Sequence, residues 1–390
     1  MRVPAWLPIL LGFLTAVGPV STDMYLPSFP AIEASLALVP GSAQITLATW
    51  FAGLAVGQIT QGTLSDRFGR RGPLIMGTIV YTAASVGCAL SPSLFWLSAF
   101  RALAAFGGSA SMVIPRAIVR DLADGHAAAR LMSRLILVMG AAPILAPTLG
   151  GAVLTIGSWR TIFWFCAAFG AICCVLVWRL LPDTLADAHR VRLGPSALVA
   201  RYVQIVREPR FLSHALLGGF GMFGMFAYIG GSPPVFIQTF HLAPARYGMV
   251  FGSCAAGYIL ASQVNARILQ RVGTNRILST ATRVFAAATL FLCVVSFTGH
   301  ATFWTVVPPL FVAMSCMGFV MPNAAVGALS RHAPHAASAS ALMGTMQFML
   351  AAASGTLIGL FTDGSPRGMA ALMLAGAAGA LVADNARPRP

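Results

Sequence analysis

The chain has 390 residues, 57% of them hydrophobic and only 9% charged, where a soluble globular domain carries about 25% charged residues. Twenty-five basic and ten acidic side chains cannot cover the surfaces of the two or three soluble domains such a length would form. With a mean hydropathy of +0.80 a water-soluble fold is excluded, and lipid is the solvent.

Twelve apolar runs, bounded by Arg, Pro, Gly or short polar turns, each approach the ~20 residues that cross a hydrocarbon core. They cover roughly 7–29, 43–64, 73–91, 94–118, 131–155, 159–181, 211–239, 246–268, 276–298, 302–328, 336–361 and 368–384. The predicted fold is therefore an all-α membrane protein of twelve transmembrane helices. The first run has the single Arg2 ahead of it, as a secretion signal would, but it continues through Asp23 and Tyr25 without a small-residue cleavage site. It is expected to stay as the first span.

Between spans six and seven lies the one long hydrophilic segment, rich in Arg, Asp and His. It divides the chain into an N-terminal half, 1–181, a cytoplasmic linker, 182–210, and a C-terminal half, 211–390, with six spans in each half. An internal echo supports the division: Gly62-Thr-Leu-Ser-Asp66-Arg67-Phe68-Gly69 follows span two, and Ala266-Arg-Ile-Leu-Gln270-Arg271-Val272-Gly273 follows span eight. Repeats of six spans are a build of alternating-access transporters, with the site at the midplane between them.

All the basic residues are arginines. This excludes a lysine-dependent phosphate loop and a lysine Schiff base, so the chain carries no ATPase of its own. With the N-terminus inside, the arginines of the turns sort to one side: Arg67, Arg70, Arg71; Arg116, Arg120, Arg130, Arg134; Arg179 to Arg210; Arg267, Arg271, Arg276; Arg331. That bias accounts for the net charge of +15 without a nucleic-acid partner and puts both termini in the cytoplasm. The seven cysteines lie in apolar runs at no metal-ligand spacing and are expected to be free thiols. No metal, cofactor or catalytic constellation is expected, and an enzyme is not.

Two charges lie inside spans. Asp23 stands about two thirds of the way along the first, where an acid is costly unless it is neutralised, paired or facing a wet cavity, and this marks it as a candidate proton-coupling carboxylate. Arg101 in span four reaches a comparable depth and is expected to sit beside it, holding the acid ionised. Span five carries Gly140, Pro143, Pro147, Gly150 and Gly151, so its helix should bend at the prolines and pack closely at the glycines. Tyr25, Trp50, Tyr228, Phe236, Tyr258, Gln263, Asn323 and Gln347 are candidates for lining a substrate cavity. The spans offer few polar groups, which favours small, moderately hydrophobic substrates.

The turn from Gly62 to Arg71 resembles the loop signature of the major facilitator superfamily in spacing and in its place between spans two and three. Gly62 would admit a neighbouring helix, Asp66 would face the N-terminus of span eleven, and Arg70 or Arg71 would pair with Asp121. With Arg67 and Gly69, these residues would form a gating motif that breaks as the cytoplasmic side opens. The fifth-span pattern is similar to that of facilitator-type antiporters. Thr22-Asp23-Met24-Tyr25-Leu26-Pro27, Arg116-Ala-Ile-Val-Arg120-Asp121-Leu122, Ala142-Pro-Ile-Leu-Ala-Pro147, Trp159-Arg-Thr-Ile-Phe-Trp164 and Ala339-Ser-Ala-Leu342 together resemble the bicyclomycin/chloramphenicol-resistance (Bcr/CflA-type) drug exporters of bacterial inner membranes. The resemblance implies twelve spans, a drug/proton antiport activity and a role for Asp23 and Arg101; the protein is expected to be a monomer. It departs from the family at Ala104, where a glutamine is usual. A proton-coupled transporter of a single metabolite or siderophore is the alternative.

Overall fold

The computed structural model describes residues 6–122, 145–185, 195–332, 336–361 and 364–388. All regular structure among them is helical. The first span is broken into α1 (Leu7–Thr15), α2 (Val17–Asp23), a 3₁₀ turn (Leu26–Ser28) and α3 (Phe29–Ser35). Pro19, Pro27 and Pro30 each lack the N–H an unbroken helix would need, and Asp23 closes α2.

The remaining helices are α4 (Gln44–Phe68), α5 (Arg71–Leu90), α6 (Leu94–Leu122), α7 (Leu145–Ile156), α8 (Trp159–Leu180) and the short α9 (Pro195–Val206). They are followed by α10 (Pro209–Pro233), α11 (Pro244–Val272), α12 (Thr274–Phe297), α13 (Phe303–Leu329), α14 (Ala336–Phe361) and α15 (Pro366–Asn385). Starts are set locally. Glu208 accepts the Phe211 N–H at 2.8 Å ahead of α10, and Thr302 with Thr305 forms a capping box at α13.

Nine helical stretches of the described residues are long and apolar enough to cross a membrane. Three of the twelve expected spans are not among them. Of the fifth, only the part from residue 145 is described, so Gly140 and Pro143 lie outside the described residues. The second and eighth, α4 with 25 residues and α11 with 29, have the length but carry more polar side chains. Several of those turn inward: Gln44 and Gln61 on α4 and Asn265 on α11 are buried. The outer surface is an apolar belt instead, with Phe95 73%, Ile156 87% and Trp304 79% exposed.

Small residues bring the helices together. A Cβ on Gly53 would lie 2.2 Å from the Ala102 carbonyl oxygen, and one on Gly77 2.8 Å from that of Gly107, so α4 and α5 both lie flush against α6. Helices before and after the linker also meet. On α14, Thr345 Oγ1 donates to the Ala55 carbonyl of α4 at 2.9 Å, and Gly355 rests on Ala48. Gly359 sits against the Gly41 carbonyl, and Gly248 of α11 against the backbone of Thr148 on α7. The last two contacts lie toward the end of the bundle opposite the arginine-rich turns. All seven cysteines are free.

Candidate functional site

Arg101 is 2% exposed, two turns into α6. Its Cζ lies 4.2 Å from the Tyr25 ring centroid, 4.3 Å from Trp50 and 5.8 Å from Phe163. Nη1 donates to the Ser21 carbonyl at 2.9 Å, while Nε and Nη2 have no hydrogen-bond partner among the described residues. The charge is thus held by aromatic faces, an attraction worth about 2 kcal/mol or more when desolvated. Ala104, buried one turn along, offers it no amide.

The expected Asp23–Arg101 pair is not formed among these contacts. Asp23, 6% exposed, makes no ion pair among the described residues. The reason is helix phase. The Ser21 side chain turns to the Tyr81 hydroxyl on α5, and residues two apart on a helix are rotated by about 200° from each other, so the Asp23 side chain points to the other side. There it lies within electrostatic reach of Tyr228 on α10 and Tyr247 on α11. The Tyr247 hydroxyl is 2.9 Å from Ser232 Oγ, whereas the Tyr228 hydroxyl is buried beside Cys254, its ring stacked on Phe251 at 5.6 Å. Arg101 therefore belongs to the helices before the linker, and the acid looks toward those after it. Gly150 of α7 packs against the break that follows α2, because a Cβ there would stand 1.7 Å from the Met24 carbonyl oxygen. Pro147 and Gly151, also on α7, are buried.

The other cavity candidates divide. Tyr25 and Trp50 form the cage around Arg101. Phe51 on α4 meets Phe226 on α10 at 4.0 Å and Phe348 on α14 at 6.0 Å, an apolar cluster that joins helices from either side of the linker. Tyr258, half-buried on α11, is within electrostatic reach of the exposed Arg116 on α6. Gln263 is exposed, and Gln347 approaches Gly218. Phe236 and Asn323 pack rather than line a cavity. Phe236 is fully buried among Phe240, Tyr247 and Phe303, and Asn323 Nδ2 donates to Asn265 Oδ1 at 2.7 Å.

At the arginine-rich end, Arg70 is the hub. Its Nε donates to Asp121 Oδ2 at 2.7 Å and its Nη1 to Ser65 at 2.9 Å, with Asp66 as a further partner. Its backbone N–H donates to Asp183 Oδ1 at 2.8 Å. Burial works against the Arg70 charge, but the hydrogen bonds it donates to Asp121 and Asp66 outweigh that and raise its pKa. Arg71 instead reaches the Trp178 carbonyl at 2.6 Å, and Arg67 lies over Phe68. Asp66 is turned to Arg70, and the partners of the hub lie on α4, on α6 and, through Asp183, at the start of the linker. Gly62 approaches Val113 of α6. Gly69 has φ +91°, and a Cβ there would meet Asp183 Oδ2 at 1.9 Å. Asp183, Tyr247 and Phe163 went unnoticed in the sequence. The signal for Asp183 was an acid placed directly after the last apolar residues of span six.

Residues 11–356 match the Major Facilitator Superfamily. The chain is 32% identical over 356 residues to the uncharacterized MFS-type transporter YdgK of Bacillus subtilis (strain 168), covering 91% of this chain and 88% of that protein. It is 27% identical to a bicyclomycin resistance protein homolog of Haemophilus influenzae, covering 90% of this chain and 88% of that protein. With a chloramphenicol resistance protein of Pseudomonas aeruginosa the identity is 25%, covering 82% and 72%. Among solved structures, a bacterial homolog to the human lysosomal transporter Spinster, inward-facing and occupied, superimposes with a TM-score of 0.72 at 16% identity, covering 98% of this chain and 96% of that one.

Proposed function

The chain belongs to the Major Facilitator Superfamily and is a multi-pass membrane transporter with drug-resistance relatives, and from that premise we propose that it is a proton-coupled exporter of small, moderately hydrophobic compounds. It works by alternating access in the bacterial inner (plasma) membrane, as a monomer with both termini cytoplasmic. The halves 1–181 and 211–390 rock against each other about the linker 182–210. The observation that carries this reading is Asp23: a carboxyl enclosed by protein, without an ion pair among the described residues, and within electrostatic reach of Tyr228 and Tyr247 on helices after the linker.

A proton taken up from the outer side neutralises Asp23, removes the cost of enclosing its charge and lets the halves close over it. When the inner side opens, water reaches the carboxyl, the proton leaves and substrate binds. Arg101, held by its cage, keeps a fixed positive field in the first half and does not travel with the proton. One proton moving down about 100 mV carries about 2.3 kcal/mol, and each pH unit adds about 1.4 kcal/mol. That supports roughly one to two decades of substrate gradient per proton. The apolar cluster of Phe51, Phe226 and Phe348 supports hydrophobic cargo, as do relatives named for bicyclomycin, chloramphenicol and multidrug resistance. The close contacts of Gly41 with Gly359 and of Thr148 with Gly248 support a state closed at the outer end.

The test is a panel of chemically unrelated antibiotics on cells lacking their own exporters, with and without a protonophore. Protection against several compounds, lost when the proton gradient collapses, is expected. Protection against none, or against a single solute, contradicts the multidrug reading.

A further inference from the structure

The turn that holds Arg70 has a counterpart after α11, and the two are built alike but charged oppositely. Gly69 and Gly273 have φ of +91° and +81°, and each precedes a long helix. Around the first turn stand three carboxylates: Asp66 three residues before the glycine, Asp121 at the end of α6, and Asp183 beyond α8. The corresponding positions around Gly273 hold Gln270, Ser330 and Arg387. Asp121 and Ser330 lie equally far from the starts of α6 and α13, and Asp183 and Arg387 equally far from their glycines. Where the Asp183 carboxylate presses on Gly69, no atom of the described residues lies within 4 Å of the Cβ position of Gly273.

In that space is a cavity of about 400 Å³ lined by Arg210, Arg276, His214, Thr274, Asn275 and Ser330. The N-terminus of α12, whose dipole favours an anion, opens onto it. Arg387 borders the cavity through Asn275 Oδ1, to which it donates at 3.0 Å, and its charge is balanced by Asp384. His214 is 3% exposed, and its Nδ1 meets the Arg210 carbonyl at 2.7 Å. A carbonyl only accepts, so Nδ1 carries the proton and Nε2 presents a lone pair. That edge of the ring lies against Gly327, another residue of the cavity wall, and Nε2 has no hydrogen-bond partner among the described residues.

We propose that this cavity binds a phosphate group that also bears a hydroxyl, either dihydrogen phosphate or the phosphoglycerol headgroup of an anionic lipid. The two arginines and the α12 N-terminus take the negative oxygens, and the hydroxyl donates to His214 Nε2. The ligand thereby supplies the negative charge that Asp66, Asp121 and Asp183 supply to the first turn. Basic pockets at the ends of membrane helices are suited to anionic headgroups. The inference stands apart from the transport reading, since it concerns neither Asp23 nor the substrate.

The experiment follows the unfolding temperature of the purified full-length chain against inorganic phosphate, with sulfate and chloride at matched ionic strength. In parallel it compares phosphatidylcholine nanodiscs with and without phosphatidylglycerol. Phosphate or phosphatidylglycerol is expected to raise the unfolding temperature by several degrees, with sulfate, which has no hydroxyl, weaker. A rise with phosphate alone assigns a soluble ligand, and one with phosphatidylglycerol alone a headgroup. Arg276→Gln, an exposed position whose folding is checked in chloride, should lower the apparent affinity about tenfold by removing a charge-assisted contact. Ser330→Asp should abolish the effect by building in the missing carboxylate, while Arg246→Gln on the other face leaves it intact. No rise with either ligand, or a rise that survives both Arg276→Gln and Ser330→Asp, overturns the proposal.

Discussion

Arg101 shows how an enclosed charge is held by aromatic faces. Three rings and one carbonyl replace its hydration, and among the described residues it has no counter-ion and two of its nitrogens no hydrogen bond. Trp50→Leu removes one face of the cage and should lower stability by about 2 kcal/mol, read as a drop in unfolding temperature in detergent. Arg101→Met in the same chain should recover most of that loss, because the charge is then gone as well. Equal losses that simply add would show that the cage and the charge are independent. The residue types of this site were legible in the sequence, since a lone acid and a lone arginine inside apolar runs stand out. Their partners were not. Whether Asp23 meets Arg101 or the tyrosines beyond the linker depends on helix phase at the breaks around Pro19 and Pro27, which apolar spacing does not record.

Among the helices, the interlocking glycines and the Arg70 hub carry the order. Arg70 is buried with partners on α4, α6 and the segment after α8, so Arg70→Gln leaves Asp121 and Asp66 without their cation. Breaking such a pair costs about 3–5 kcal/mol. Arg71→Gln, which loses one exposed contact to Trp178, should cost less than about 1 kcal/mol. Parallel unfolding curves check the contrast, and equal losses would refute it. Gly150→Ala pushes a methyl into the Met24 carbonyl beside Asp23. It should impair transport at normal surface expression, as an efflux assay would report. The turn was readable from sequence because its residues are consecutive. The part played by Asp183 was hidden because only the fold brings that residue back to Gly69.

Across the whole molecule, the twelve expected spans and the helices agree where apolar character is strong. They differ where polar side chains turn inward, as on α4 and α11. Such inward polarity lowers hydropathy without making a helix any less able to cross. The Ala48 and Gly355 positions, whose Cβ atoms would lie 3.2 Å apart, join helices on either side of the linker. Paired cysteines there, Ala48→Cys with Gly355→Cys, should crosslink under oxidant and arrest transport until reduced. Transport that continues through the crosslink would contradict a rocking motion at this contact. The claim on which the account turns is that Asp23 is the group exchanging the proton. Its most direct test is substrate movement in proteoliposomes under an imposed pH gradient, comparing the wild type with Asp23→Asn. The account predicts that Asp23→Asn still binds substrate and equilibrates it, yet builds no gradient in response to pH; concentration against a gradient at the wild-type rate would contradict it.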